Sequence, residues 1–252
     1  MGKTISVHSF RGGTGKSNIV ANLATYCALQ GARVGVIDTD IQSPGVHVIF
    51  GLGNKKLKYT LNDFLYKKCS LDSVAVDLTK SLKIKDDGKL YVFPAALDAN
   101  EITKILREGY EISTMSEGFS EIIGNLNLDY LFIDTHPGLN EETFLSIALS
   151  DILLVILRPD EQDYLGTAVT LEISKKFEIP KIFLIMNKVL PKYKSEEVAK
   201  QVTKTFHVPV GGVFYFSEEF AEAASKDVFI LNNPEHAFSK VIEEIYSNIL
   251  KD

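Results

Sequence analysis

Cysteine is scarce in this chain: two residues in 252, Cys27 and Cys69. Neither belongs to a Cys-x-x-Cys pair or a Cys/His cluster, which argues against a structural zinc or metal-cluster site and fits a reducing compartment. No apolar run approaches 18 residues, so no helical membrane span is expected. No signal peptide is expected ahead of the first strand, and the expected location is cytoplasmic. Net positive charge is lacking too. The formal charge of −6 gives no global attraction to nucleic acid or anionic lipid, so any such binding must come from a local patch. There is no internal repeat, no low-complexity segment and no composition break that would mark a domain boundary. One domain over residues 1–252 is expected, long enough to bury a full core.

One further absence is local. Residues 5–17 read Ile-Ser-Val-His-Ser-Phe-Arg-Gly-Gly-Thr-Gly-Lys-Ser. A short apolar run, Ile5 to Val7, reads as a buried strand. A glycine-rich loop follows, and Lys16 and Ser17 open a helical stretch. This is a phosphate-binding arrangement: loop and helix-start N–H groups face anionic oxygens, Lys adds a point charge, and Ser can hold Mg2+. The ordinary loop has glycine five residues before the Gly of Gly-Lys. That position is Phe10. What stands instead is a cation, Arg11, followed by Gly-Gly-x-Gly-Lys-Ser.

Short apolar runs alternate with longer amphipathic stretches along the chain. The runs are Ile5–Val7, Val34–Ile37, Leu90–Phe93, Tyr130–Ile133, Ile152–Leu157, Ile182–Met186 and Val210–Phe214. Helical patterns fall near 17–30, 99–124, 141–149, 162–177, 194–205 and 235–250. Uniformly apolar runs suit strands covered on both faces. The expected fold is α/β, a doubly wound, mostly parallel sheet flanked by helices. Residues 51–89, with the Asp86-Asp87-Gly88 turn, read as an excursion holding one short helix near 60–66.

Three further stretches carry chemistry at strand ends. Asp38 and Asp40 leave the second run at i and i+2, so they point to one side of an extended chain. Beside a triphosphate they can hold Mg2+ through water or orient an attacking water. Residues 129–138 place four apolar residues before Asp134, the Walker B pattern, whose Asp binds the metal's water shell. The Pro137-Gly138 turn after it is able to move with a γ-phosphate. His136 lies between and reads as structural rather than as a base. Asn187 follows a buried run. Its amide offers a donor and an acceptor to an adenine edge, and an Asn at a strand end is also a common turn former.

Together these residues resemble the ParA/MinD family of deviant-Walker-A ATPases over nearly the whole chain. Residues 11–17 match the family loop except at its first position. Residues 36–45, with Gln42, are similar to its second motif, and residues 129–138 to its Walker B. Asn187 falls at its adenine-contacting Asn, and residues 217–227 resemble its base-side loop. The Asn-Pro-Glu-His-Ala-Phe helix start fits as well. The resemblance implies ATP bound by Gly12, Gly13, Thr14, Gly15, Lys16, Ser17, Asn18 and Asn187. It implies Mg2+ held directly by Ser17 and through water by Asp40 and Asp134, and catalysis by Lys16, Asp40 and, beside it, Asp38. It further implies slow hydrolysis, a homodimer closed by ATP, and a cargo-adaptor protein that stimulates turnover.

The departure is Arg11, where the family has a Lys that reaches the partner's nucleotide. Arg keeps the charge and adds a planar fork of donors. It can act in trans, or leave that work to a cation such as Arg158. Members called McdA, which position carboxysomes, also lack the usual Lys. Two branches compete for what the dimer binds. A ParA-like chain binds DNA without sequence preference and is nucleoid-associated, and a MinD-like chain binds membrane through a C-terminal amphipathic helix. The tail from Ser239 to Asp252 has an apolar stripe, but its polar side is acidic, so it reads as core packing. Basic stretches lie at 54–68 and 181–204. Lys192, Lys194, Lys200 and Lys204 are the candidate DNA contacts. A nitrogenase-like or cluster-carrier reading would need suitably placed cysteines, which are lacking.

Overall fold

The computed structural model describes residues 2–53, 57–85, 87–223 and 225–250. Lys55 and Lys56 of the first basic stretch, Asp86 of the expected turn, Ala224 of the base-side loop and Asp252 of the tail lie outside them. Eight strands are present among the described residues: β1 (Lys3–His8), β2 (Arg33–Asp38), β3 (Val76–Asp77), β4 (Lys89–Phe93), β5 (Tyr130–Asp134), β6 (Ile152–Leu157), β7 (Lys181–Val189) and β8 (Val210–Tyr215). The helices are α1 (Lys16–Leu29), α2 (Val46–Ile49), α3 (Leu61–Leu65), α4 (Ala99–Glu108), α5 (Ile112–Asn125), α6 (Glu141–Ala148), α7 (Glu161–Lys176), α8 (Ser195–Phe206), α9 (Glu218–Ala223), α10 (Phe229–Asn232) and α11 (Ala237–Ile245). A π-helical turn, Tyr246–Leu250, continues α11.

The strands form one sheet in the order β3-β4-β2-β5-β1-β6-β7-β8. Every pairing is parallel except that of β3, a two-residue edge strand antiparallel to β4. The mostly parallel, helix-flanked architecture is the one expected. Strands β2 and β4 are laid down on one side of β1 and β6 to β8 on the other. The carboxyl end of β1 is therefore the switch point where open α/β sheets bind ligands.

Alternate residues of each strand face opposite layers. One face is a continuous apolar layer: Ile5, Val7, Val36, Val92, Phe132, Leu154 and Phe214 pack under α1, α10, α11 and the last turn. The other face is split. Ile37, Phe93, Leu131 and Ile133 pack on α3 and α5, and Leu153, Val155, Leu184 and Met186 pack on α7 and α8. Between the two lies β1, whose Thr4, Ser6 and His8 are buried and polar. This seam is hydrogen-bonded: Ser6 Oγ donates to the Ser146 carbonyl (2.7 Å), and Ser150 Oγ lies 2.6 Å from Ser6 Oγ.

The expected helix over 99–124 is two helices. Gly109, at φ 67°, ends α4, and Glu111 in extended conformation starts α5. Left-handed backbone after a helix is a glycine stop. The tail stripe is packed as expected. Phe238, Ile242, Ile245, Ile249 and Leu250 are buried, and Tyr130 Oη donates to the Leu250 carbonyl (2.9 Å).

Phe10 takes its place through a second residue, Gly166 on α7. A Cβ built on Gly166 would stand 2.1 Å from Phe10 Cδ1 and 2.6 Å from its Cβ. The large side chain in the loop thus requires a missing side chain in the helix. Gly→Ala inside a helix normally stabilises by about 1 kcal/mol. Gly166→Ala should instead destabilise by about 1–3 kcal/mol through overpacking. In a Phe10→Gly background the same change should be neutral or stabilising. Denaturation midpoints of the four chains check this, and additive effects would contradict it.

Candidate functional site

The site is built on the end of β1. After His8 the chain passes Phe10 and turns through Gly13 (φ 73°) and Gly15 (φ 99°) into α1. Gly15 is required twice. Its backbone is left-handed, and a Cβ there would lie 2.5 Å from Asn187 Nδ2. Lys16 is 7% exposed, so its charge is confined to the cleft rather than spread in water. The amides at the start of α1 carry positive partial charge. Thr14 is buried, and its Oγ1 has no hydrogen-bond partner among the described residues.

Strand β7 holds the loop from the side. A bulge shifts the β7–β8 register between Met186 and Val189. Bulges re-aim side chains, and this one turns Asn187 and Lys188 onto the loop. Asn187 Nδ2 donates to the Thr14 carbonyl (2.7 Å), and its Oδ1 accepts from the Lys188 N–H (2.8 Å). Lys188, in left-handed backbone at φ 58°, donates from Nζ to the Gly13 carbonyl (2.9 Å). Asn187 therefore braces the loop as well as lining the cavity expected for a base. In the sequence Lys188 stands beside Asn187 and among the six lysines of the 181–204 basic stretch; neither position announces its grip on the loop.

Asp38 and Asp134 end adjacent strands in direct register. Asp38 is fully buried. Its Oδ2 accepts from Gly45 N (2.9 Å) and Val46 N (3.1 Å), and its Oδ1 from Asp40 N (3.2 Å). Its oxygens also anchor the 40–46 loop that carries Asp40, and His47 Nδ1 lies 3.4 Å from Oδ2. Asp40 lines the cleft. Burial raises its pKa, and the charge of Asp38 adds to the rise against the opposing pull of His136. Asp134 is 1% exposed, and one oxygen, Oδ1, lacks a hydrogen-bond partner among the described residues. Burial and the neighbouring Asp38 push its carboxyl up to about 7, against Lys16 and a Ser17 hydrogen bond.

These residues fit a hydrated Mg2+. The ion keeps several waters and takes few protein ligands. Ser17, Asp40 and the orphaned oxygen of Asp134 would supply those contacts, and the ion would neutralise phosphate charge. Among the described residues no group of three His, Cys, Asp or Glu is placed to cage a metal alone. Cys27 is buried in α1 and Cys69 is half-buried far along the chain.

Two cavities meet at the loop. A cleft of about 500 Å3 is lined by Gly12, Lys16, Ser17, Asp40, Val48 and His136. A second, of about 290 Å3, is lined by Asn187, Tyr215, Phe216, Phe220 and Ser225. Gly13, Gly15, Asn18 and Ser225 border both. Asn18 Nδ2 donates to Ser225 Oγ (2.9 Å), fastening the 217–227 segment to α1. One compartment is cationic and polar and the next is aromatic, an order that suits phosphates followed by a planar base.

Arg11 lies at the rim. Its guanidinium is 3.6 Å from Asp160 and 3.8 Å from Asp163. Arg158 holds Asp163 more tightly, through Nε at 2.9 Å and Nη2 at 3.1 Å. Both expected cations thus rest on the start of α7 within one protomer. Lys192, Lys194, Lys200 and Lys204 are exposed, on the turn after β7 and along α8, outside the cleft; Lys194 pairs with Glu197 at 3.4 Å.

Loop, helix start, strand-end carboxylates and bipartite cavity together define a P-loop nucleotide-binding protein. The family model described as the CobQ/CobB/MinD/ParA nucleotide binding domain matches residues 5–230, and the chain belongs to that family. The septum site-determining protein MinD of Bacillus subtilis is 26% identical over 256 residues, spanning 99% of this chain and 90% of that protein. A structure of MinD from Pyrococcus horikoshii with Mg-ADP superposes with TM-score 0.81 at 19% identity, covering 100% of this chain and 97% of that one. Apo McdA from Cyanthece superposes with TM-score 0.73 at 18% identity, covering 98% and 99%. The two structural likenesses establish the fold.

His8 gives a test of how the loop is founded. Thr135 Oγ1 donates its one hydrogen to the Val7 carbonyl (3.0 Å) and so accepts from His8 Nδ1 (2.9 Å). The ring is neutral, its pKa pushed down to about 3 by burial, with Lys16 and His136 adding to the fall. The unfolded chain therefore binds a proton below about pH 6.5 that the folded chain refuses, and stability drops as pH falls. At pH 5 the loss should be about 2 kcal/mol. His8→Asn, which keeps a donor for Thr135, should flatten denaturant midpoints between pH 7 and 5. Equal slopes in the two chains would contradict the assignment.

Proposed function

We propose that this chain binds ATP with Mg2+, hydrolyses it slowly, and uses the bound state to close a homodimer that positions or partitions an intracellular cargo on non-specific DNA. The observation that carries the nucleotide reading is the paired cavity. Lys16 and the α1 amides face one compartment, the aromatic residues of the 215–220 segment face the next, and the loop glycines border both. The orphaned oxygen of Asp134 beside Ser17 supports Mg2+.

The DNA reading is supported by the exposed lysines after β7 and on α8, which a dimer would double. In the membrane-bound alternative, of the MinD kind, an amphipathic helix would face lipid; the apolar stripe of Ile242, Ile245, Ile249 and Leu250 does not serve that purpose, because it is buried against the sheet. For Arg11 the proposal is a trans contact with the partner's nucleotide, reached by leaving Asp160 and Asp163. The cargo and an adaptor that stimulates turnover belong to the same proposal.

Titration with a fluorescent ATP analogue should show Mg2+-dependent binding that Lys16→Ala weakens at least tenfold. Arg11→Ala should bind like wild type but lose most turnover or ATP-dependent dimerisation, read by phosphate release and sedimentation. No binding by wild type would overturn the nucleotide reading, and an Arg11→Ala chain with both properties intact would overturn the trans contact. DNA retention should require ATP, fall steeply between 50 and 200 mM salt on the order of a several-contact phosphate interface, and fail in the Lys192/Lys194/Lys200/Lys204 alanine variant. Binding to anionic vesicles without binding to DNA would point to the alternative.

A further inference from the structure

The aromatic wall of the second compartment stands between two cavities. The 215–220 segment lines the compartment of about 290 Å3 on one side. On the other it lines a cavity of about 560 Å3 that reaches Pro191, His236 and Val241. With open space on both sides, packing alone does not fix its position. What pins it is a pair of helix caps bonded to each other. Ser217 precedes α9, and its Oγ accepts from the Phe220 N–H (3.0 Å). His236 precedes α11, and its Nδ1 accepts from the Phe238 N–H (3.0 Å). His236 Nε2 lies 3.3 Å from Ser217 Oγ. The hydrogens follow from the partners. A backbone N–H only donates, so Nδ1 carries no hydrogen and Nε2 does. The one hydrogen of Ser217 Oγ goes to the Glu219 carboxylate (2.9 Å), so Oγ accepts from Nε2. Both ends of the bond agree on its direction. Phe229 meets the imidazole edge to face, with ring centres 5.0 Å apart.

We propose that His236 is a positioning residue for the nucleotide base: through Ser217 it sets the aromatic wall on which the base stacks. The inference rests on the reading of the two cavities as one nucleotide site. Ser217 lies between Phe216 and the α9 turn that carries Phe220, so holding its hydroxyl holds both rings. Phe220 in turn stacks on Phe238 of α11, with ring centres 4.2 Å apart. No residue of α9 is buried, whereas Phe238, Ile242 and Ile245 of α11 are. The bond from His236 therefore refers an exposed segment to the core. A wall ordered before the base arrives spares the ordering cost that binding would otherwise meet. Neither Ser217 nor His236 lines the phosphate cleft. The bond acts on the base-dependent part of the affinity and not on the phosphate-dependent part.

The test compares Kd for Mg-ATP with Kd for Mg-tripolyphosphate, which has no base, in the full chain, alongside thermal melts. His236→Asn keeps an acceptor for the Phe238 N–H but is too short to reach Ser217. It should melt like wild type, weaken ATP about fivefold or more, and leave tripolyphosphate within about twofold. His236→Gln carries an amide donor at the reach of Nε2 but gives up the cap. It should melt lower, yet bind ATP more tightly than His236→Asn does. The Ser217→Ala/His236→Asn double variant should be no weaker for ATP than the worse single variant, since both break one bond. Wild-type ATP affinity in His236→Asn, equal losses for ATP and tripolyphosphate, or additive losses in the double variant would each overturn the proposal. A wild-type chain that binds tripolyphosphate as tightly as ATP would instead overturn the reading beneath it, because the aromatic compartment would then hold no base.

Discussion

Two carboxylates, Asp38 and Asp134, end neighbouring strands side by side with almost no access to water. Buried like charges must be compensated or neutralised. Asp38 is compensated by the amides of Gly45 and Val46, and that compensation folds the loop that carries Asp40. Asp134 is left short: one oxygen is unpartnered among the described residues, and Lys16 and Ser17 oppose its charge. The deficit accounts for Lys16 being drawn into the cleft and suits a hydrated divalent cation there. The family's nucleotide chemistry thus starts from an electrostatic debt that the fold leaves partly open.

The rest of the structure keeps the loop where that charge can use it. Phe10 is seated in the gap of Gly166, Asn187 and Lys188 grip two loop carbonyls from the β7 bulge, and Asn18 is fastened to Ser225. Loop position is therefore shared among α7, β7 and the 217–227 segment. Arg11 sits at the junction, held by carboxylates of the same helix that accommodates Phe10. A rearrangement of α7 would move both residues together, linking the loop's conformation to the availability of its cation.

Most of the sheet was legible because its strands are apolar on both faces, and strand-end polar residues stood out against them. The two-residue β3 was not legible, since so short a segment carries no period. Nor was the break at Gly109, because a glycine inside an amphipathic pattern is tolerated until its φ is known. Strand β1 was read as an apolar run, yet its second face is the buried polar seam of Thr4, Ser6 and His8; sequence shows polarity but not the partners that satisfy it. Phosphate-loop residues and Asp134 were readable from spacing. Asp38 read as a catalytic group because its chemistry suits one, and only the amides of Gly45 and Val46 reveal its anchoring part. Lys188 and Gly166 act through contacts more than a hundred residues away in the chain, which no local pattern announces.

The central claim is that the cleft and the aromatic cavity form one nucleotide site organised by the loop at 11–17. The most direct test is a crystal structure of the chain grown with Mg2+ and a non-hydrolysable ATP analogue. The account predicts phosphates on the amides of residues 12–17, the cation beside Ser17 with Asp134 in its water shell, and the base against Phe216 and Phe220. A nucleotide seated elsewhere, or phosphates in the cleft with no cation near Ser17, would contradict it.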